Sequence, residues 1–266
     1  MNLQEMIQEN ISLGYSDENA QAKVCQDLIL LGLSKSSLSR NATIKGGVVM
    51  RSISNNIRRA TQDIDIDFIR YSLNDDSIRM FIDRINNIPG ISISVVGNIK
   101  ELKQQDYKGK RVFVAIKDET GYSIQSKIDL GVHKDLDIKQ EEYCFDIAYF
   151  DDGANLLINS KEQMIVEKLR SLLRFKTLST RYKDLFDIWF LLQDADGNVL
   201  KELINKLIYK NKLIDENNKE ELIQAIKEVY VDKDFVERIK SSKKNWTNIS
   251  EEEAIKETIE NLNKFI

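Results

Sequence analysis

Residues 63–68 read Asp-Ile-Asp-Ile-Asp-Phe, a strict alternation of acidic and apolar side chains. A strand with one buried face satisfies that pattern, because successive side chains of an extended chain point to opposite faces. Asp63, Asp65 and Asp67 then share one surface, with neighbours about 6.6 Å apart along the strand. Ile64, Ile66 and Phe68 share the other, which needs a sheet and a covering layer to bury it. The sequence around it supplies both. Between residues 43 and 150, further runs of period two recur as Ile91-Ser92-Ile93-Ser94-Val95, Val112-Phe113-Val114-Ala115-Ile116 and residues 124–130. Residues 75–86 interrupt them with Ile78, Phe81, Ile82 and Ile85 at helical spacing, stopped by Pro89-Gly90. Residues 100–110, polar and lysine-rich, read as an exposed connection between two strands. A mixed, mostly antiparallel sheet with helices on one side follows.

The flanks have helical periodicity. Residues 1–40 carry Val24, Leu28 and Leu31 on one helix face, with Gly32 as the expected stop. After Asp151-Asp152-Gly153 helical spacing is expected to run to the end. Ser160-Lys161-Glu162-Gln163 forms a capping-box pattern ahead of Ile165, Leu169, Leu172 and Leu173. Thr180 is positioned to cap a second helix bearing Leu185, Ile188, Trp189 and Leu192. Two to four more helices fill residues 199–266, with Trp246 between the last ones. The expected class is α+β, organised as a helical cover (residues 1–40), a core (41–155) and a helical C-terminal lobe (156–266).

Composition narrows the function classes. A net charge of −4 excludes a surface coated with positive charge for nonspecific nucleic-acid binding, although residues 161–183 hold seven Lys or Arg against two Glu. The longest apolar run near the N-terminus, residues 28–31, is too short for a signal-peptide core or a membrane span, so a cytoplasmic protein with no membrane partner is expected. Cys25 and Cys144 stand apart with only His133 as an imidazole, which suggests buried free thiols rather than a zinc site or a disulfide framework. His133 itself, near a strand end, reads as hydrogen-bonded structure.

An isolated D-x-D is most often the polar face of a half-exposed strand. Here its context is unusual. Lys45-Gly46-Gly47 lies less than twenty residues upstream, ahead of residues 48–54, which can form a helix. Glycines at a helix start let backbone N–H groups approach phosphate, where the helix dipole also favours negative charge. Asp129, in Lys127-Ile128-Asp129-Leu130-Gly131, offers a further carboxylate from a neighbouring strand, while Asp135 and Asp137 read as loop residues. Carboxylates from two strands beside a phosphate cradle suit Mg²⁺ or Mn²⁺ and phosphoryl transfer. Arg58 and Arg59 either contact phosphate or RNA, or pair with the acidic strand.

Gly46-Gly47, Arg58-Arg59-Ala60-Thr61-Gln62-Asp63-Ile64-Asp65, Asp129, Glu167-Lys168-Leu169 and Arg181-Tyr182-Lys183-Asp184-Leu185-Phe186-Asp187 together resemble the AbiEii/AbiGii toxin family, to which the MenT toxins are similar. The resemblance covers roughly residues 44–192. It implies a DNA polymerase β-like nucleotidyltransferase core and a helical C-terminal lobe. It further implies transfer of a nucleotide from an NTP to RNA, with tRNA 3′ ends as the target class, and a cognate antitoxin in a toxin–antitoxin or phage-defence module. By position, Lys45, Gly46, Gly47 and Arg59 would bind the NTP, and Asp63, Asp65 and Asp129 would bind metal and take part in catalysis. Lys168 and Asp184 would match the family's C-lobe Lys and Asp, with Lys168 also at the NTP.

Two departures stand out. Val48 occupies the place where the family often has Ser or Thr, leaving Ser52 or Ser54 to supply a hydroxyl. Asp67 makes the working pair either 63/65 or 65/67, and the Thr61-Gln62-Asp63 context favours the first. Helix geometry sets Lys168 at the edge of the apolar face, able to reach a cleft between lobes. Either Lys183 and Asp187, at i and i+4, form a simple surface pair, or Asp184 and Asp187 orient basic residues in the cleft. The rival functions are a D-x-D glycosyltransferase, which the upstream Gly-Gly and downstream Asp129 fit poorly, a protein nucleotidyl-transferring enzyme, and an inactive fold that binds RNA or an antitoxin.

Overall fold

The computed structural model describes residues 1–102, 109–133 and 135–266. Its contacts divide the chain into two compact units, Met1–Asn159 and Ser160–Ile266. The connection expected over residues 100–110 lies partly outside the described residues, and its flanks are strand.

In the first unit the chain runs through α1 (Leu3–Ser12), α2 (Asp17–Ser34), β1 (Ala42–Lys45), α3 (Gly46–Ser54), a 3-10 turn (Ile57–Arg59), β2 (Asp63–Phe68) and α4 (Asp75–Ile85). β3 (Ile91–Leu102), β4 (Gly109–Asp118), β5 (Ser123–Val132), β6 (Glu141–Ile147) and β7 (Phe150–Ile158) follow. Among the described residues the strands form one seven-stranded sheet ordered β3-β4-β5-β2-β1-β7-β6. The β2/β5 and β1/β7 pairs are parallel and the other four are antiparallel. This is the mixed, mostly antiparallel sheet of an α+β fold.

Alternation decides which face is covered. Ile44, Ile64, Ile66, Val112, Val114, Ile128 and Leu130 are all fully buried. α2 packs along β2, β5, β6 and β7, and α4 packs on β3 and on α2, so these helices cover the isoleucine and valine face. Burying each such side chain contributes about 1.5–3 kcal/mol, which fixes the register of β2 and so turns its aspartates to the other face.

Several expectations are corrected here. The helix at residues 1–40 does not stop at Gly32. α2 continues to Ser34, and a Cβ on Gly32 would lie 2.2 Å from the Ile85 carbonyl oxygen, so glycine serves the close approach of α2 to the end of α4. Helical structure does not resume after Gly153, because β7 runs to Ile158 and pairs with β1. Burial is also uneven for the thiols: Cys25 is buried, but Cys144 is exposed, on the face of edge strand β6 that also presents Glu142 and Asp146.

The second unit is helical. It comprises α5 (Lys161–Phe175), a 3-10 turn (Lys176–Leu178), α6 (Lys183–Leu192), α7 (Gly197–Ile204), a π-helical turn (Asn205–Tyr209), α8 (Lys219–Val231), α9 (Lys233–Ser241) and α10 (Glu251–Phe265). Ser160 caps α5, its hydroxyl accepting from the Gln163 N–H at 3.1 Å. The reciprocal half of the capping box is replaced, since the Gln163 amide donates to Glu167 at 3.2 Å. Thr180 does not cap α6, which opens after Tyr182 without a side-chain cap. Among the described residues no helix is long and apolar enough to cross a membrane.

Candidate active site

The aspartate face of β2 is built by register. Asp65 lies opposite Asp129 on parallel β5, Asp63 opposite Lys127, and Arg111 on β4 opposite Asp129. On the other side, Lys45 of β1 lies opposite Asp65. Acidic and basic side chains from four adjacent strands therefore share one surface.

Each carboxylate has a different neighbour. The Thr61 hydroxyl donates to Asp63 Oδ1 at 3.0 Å, and the Lys127 ammonium stands 3.6 Å from Asp63 Oδ2. Lys45 Nζ donates to Asp67 Oδ2 at 2.7 Å. Arg111 grips Asp129 with two parallel bonds, Nε to Oδ1 and Nη2 to Oδ2, both 2.6 Å. Such a bidentate pair is charge-assisted and geometrically specific. The Asp129 hydrogen bond holds the Arg111 guanidinium above its ordinary pKa, partial burial opposes this, and the charges of Asp129, Asp63 and Asp65 add to the rise.

The glycine pair abuts this face. Gly46 opens α3 at φ +71°, and a Cβ there would lie 2.1 Å from Asp65 Oδ2. Gly47 approaches Thr61, where a Cβ would lie 2.5 Å from Oγ1. A side chain at Gly46 would displace the Asp65 carboxylate, and one at Gly47 would displace Thr61. Lys45, at the N-cap position, makes no side-chain cap, so the first-turn amides of α3 are not taken up by it. Val48 is fully buried, and Ser54 hydrogen-bonds the Arg51 carbonyl at 3.3 Å. The hydroxyl beside the glycines is that of Thr61 rather than of Ser52 or Ser54.

A buried polar layer lies behind β2. Gln26 of α2 donates to the carbonyls of Thr61 and Asp63, at 2.9 and 3.3 Å, and accepts from Arg51 of α3. Arg51 also stands 3.5 Å from Asp27, which pairs with Lys23. One amide thus ties the backbone on both sides of Gln62 to the helix that starts at the glycines.

The second unit has its own network. Lys168 is buried, and its ammonium donates to Asp184 Oδ1 at 2.8 Å and Asp187 Oδ2 at 2.7 Å. Asp187 is 0% exposed and also accepts from the Trp246 indole at 2.9 Å. Arg181 Nε donates to Asp184 Oδ2 at 2.6 Å. Lys168 thus turns inward to α6 instead of reaching from its helix, and Asp187 is interior rather than half of a surface pair. The basic stretch is also largely matched with acid, since Lys161 pairs with Asp194 and Lys176 with Glu216.

The family model described as nucleotidyl transferase AbiEii toxin, type IV toxin–antitoxin system, matches residues 28–259. The chain belongs to the AbiEii nucleotidyltransferase toxin family. No curated protein matches it in sequence. An AbiEii toxin of this family is a nucleotidyltransferase with a nucleotide substrate and an antitoxin partner.

In this AbiEii chain the structure gathers Asp63, Asp65, Asp129, Lys45, Gly46 and Gly47 around one sheet face. Arg59 sits buried in the 3-10 turn before β2. Lys168 and Asp184 meet each other in the helical unit. Asp67 is buried and held by Lys45. His133 is buried, its ring within 3.0 Å of the Gln140 amide nitrogen and 3.2 Å of the Asp135 carbonyl. Sequence reasoning passed over Arg111, Lys127, Thr61 and Gln26. For Gln26-Asp27 there was a signal, a polar pair inside the apolar run of residues 24–33; for Arg111 there was none, because its role depends on strand register.

The donor set suits a hard divalent cation in chemistry, since Asp63 and Asp65 present oxygens from one strand face and the Asp63 side chain is 34% exposed. Among the described residues no three His, Cys, Asp or Glu side chains converge as a metal cluster. Asp129, the expected third ligand, has both oxygens on Arg111.

Proposed function

We propose that the protein transfers a nucleotidyl group from an NTP to an RNA acceptor, with tRNA as the first candidate, and acts in the cytoplasm as the toxin of a toxin–antitoxin or phage-defence pair. The observation that carries this reading is the abutment of Gly46 on Asp65: a helix start stripped of side chains lies directly against the aspartate strand. A triphosphate laid on the α3 amides would find backbone donors and the positive end of a helix dipole. Gly46 and Gly47 bind its oxygens, and Lys45 adds a cation at the same edge. Thr61, through its hydroxyl, fixes the rotamer of Asp63.

Mg²⁺ or Mn²⁺, when held by Asp63 and Asp65, would neutralise charge on the triphosphate. The acceptor hydroxyl attacks the α-phosphorus, forming a new P–O bond as the α–β anhydride bond breaks and pyrophosphate leaves. The Asp129 carboxylate, once released by Arg111, takes the hydroxyl proton. Lys168 and Asp184 enter this reading as residues whose exchange ends activity.

The test incubates the full chain with Mg²⁺ and each α-labelled NTP in turn, against total RNA and lysate protein, for wild type and Asp65→Ala. The expected result is labelled RNA from wild type and none from the variant, with unchanged circular dichroism. Label on protein would transfer the reading to a protein nucleotidyl-transferring enzyme. Absence of label together with absence of NTP binding would leave an inactive fold that binds RNA or antitoxin.

A further inference from the structure

We propose that the Arg111 guanidinium is a built-in cation of the carboxylate face that competes with the divalent metal for Asp129. The inference rests on the reading of Asp63, Asp65 and Asp129 as metal-facing. Three observations carry it. Arg111, Asp129 and Asp65 lie abreast across β4, β5 and β2, so the guanidinium arrives in line with the carboxylates and not from outside the cluster. Its fork engages both Asp129 oxygens at 2.6 Å, the full bidentate geometry. Asp63 and Asp65 also act electrostatically on the guanidinium, which places its charge within the field of all three acids.

Exposure indicates which partner yields. The Arg111 side chain is 32% exposed and that of Asp129 is 10% exposed. The arginine can swing toward solvent, whereas the aspartate is fixed on a central strand. Each carboxylate oxygen keeps a second lone pair, so exclusion is electrostatic: a doubly charged ion brought onto Asp129 meets a guanidinium already bonded there. Asp129 is therefore compensated without metal, and loading this third carboxylate requires release of Arg111. A side chain that holds the acids apart from metal would make divalent affinity weaker than the donor set alone allows.

The test measures Mn²⁺ binding directly, by electron paramagnetic resonance of free Mn²⁺, on wild type, Arg111→Gln and Arg111→Lys, with unfolding midpoints as the fold check. Arg111→Gln is expected to bind Mn²⁺ about tenfold more tightly, the equivalent of about 1.4 kcal/mol. Arg111→Lys keeps the charge without the fork and should fall between. Adding Asp129→Asn to Arg111→Gln should remove the gain. If Arg111→Gln fails to fold, Arg111→Lys decides, since it too must bind more tightly than wild type. Unchanged or weaker Mn²⁺ binding in the arginine variants, with loss of binding in Asp65→Asn, overturns the competition while leaving the proposed function standing; a raised KM for NTP in that case assigns Arg111 to phosphate. Absence of Mn²⁺ binding in every form, wild type included, overturns both.

Discussion

Replacing Gly46 by alanine separates backbone strain from damage to the site. Gly46 has φ +71° and Gly97, in edge strand β3, has φ +68°. An L side chain in the left-handed region costs about 1–2 kcal/mol, so Gly46→Ala and Gly97→Ala should lose similar stability on that account. They differ in what the new methyl meets. At Gly97 nothing lies within 4 Å, whereas at Gly46 the Cβ falls 2.1 Å from Asp65 Oδ2 and 3.0 Å from its Cγ. Real Cβ contacts essentially never fall below 3.0 Å, so the Asp65 carboxylate has to move by about 1 Å, and a misplacement of that size costs about 10²-fold in rate. Stability is read from urea unfolding followed by circular dichroism, because both tryptophans, Trp189 and Trp246, lie in the helical unit. Activity is the initial rate of nucleotide incorporation. Gly97→Ala should keep near-wild-type rates and Gly46→Ala should lose about two orders of magnitude. Equal activity in the two variants would refute the claim that Gly46 exists to admit Asp65.

Lys168→Met should destabilise the helical unit by about 3–5 kcal/mol, the cost of taking the ammonium from fully buried Asp187, while Asp184 keeps Arg181, and tryptophan fluorescence during urea unfolding would report it; a loss under 1 kcal/mol would count against the network. Asp118 is desolvated, which raises its pKa, but bonds from the Thr120 hydroxyl and the N–H groups of Leu3, Tyr122 and Thr120 bring the net value below the ordinary one. Its folded pKa being depressed, its contribution is complete above the unfolded value of about 3.9 and is lost as pH falls through the folded value, so Asp118→Asn should flatten the acid limb of the thermal-stability profile. Native protein should take up one maleimide, at exposed Cys144, and a second only in denaturant, since burial pushes the Cys25 thiol up to about 12.

Much of the first unit was legible because β2 advertises itself. An Asp-Ile alternation has one good solution, and the same period-two rule found β3, β4 and β5. β1, β6 and β7 escaped it for physical reasons. β1 is only four residues long and carries three buried positions in a row, Ala42, Thr43 and Ile44, so no alternation is visible. β7 begins Phe-Asp-Asp-Gly, turn chemistry that masks a strand held by its neighbours β1 and β6. Residues of the site were legible where one segment carries them, as with Gly46 to Asp65. Where two distant segments must meet, as Arg111 meets Asp129, register decides, and register is a property of the assembled sheet.

The three aspartates of β2 look equivalent in sequence, and the sheet makes them unequal. Like charges two residues apart repel, so each needs its own compensation, and the strength of that compensation sets what remains for a ligand. Asp67 is buried against Lys45 at 2.7 Å and has the least to offer. Asp63 has a hydroxyl, a lysine no closer than 3.6 Å and a third of its side chain in solvent. Asp65 lies between them with the glycine turn pressed against it. That gradient runs along the strand toward the 63/65 end, and it favours this pair over 65/67 as the ligand-facing acids. It also gives Asp67 a role of its own: by holding Lys45 at the edge of β1, it positions the residue from which the glycine helix begins.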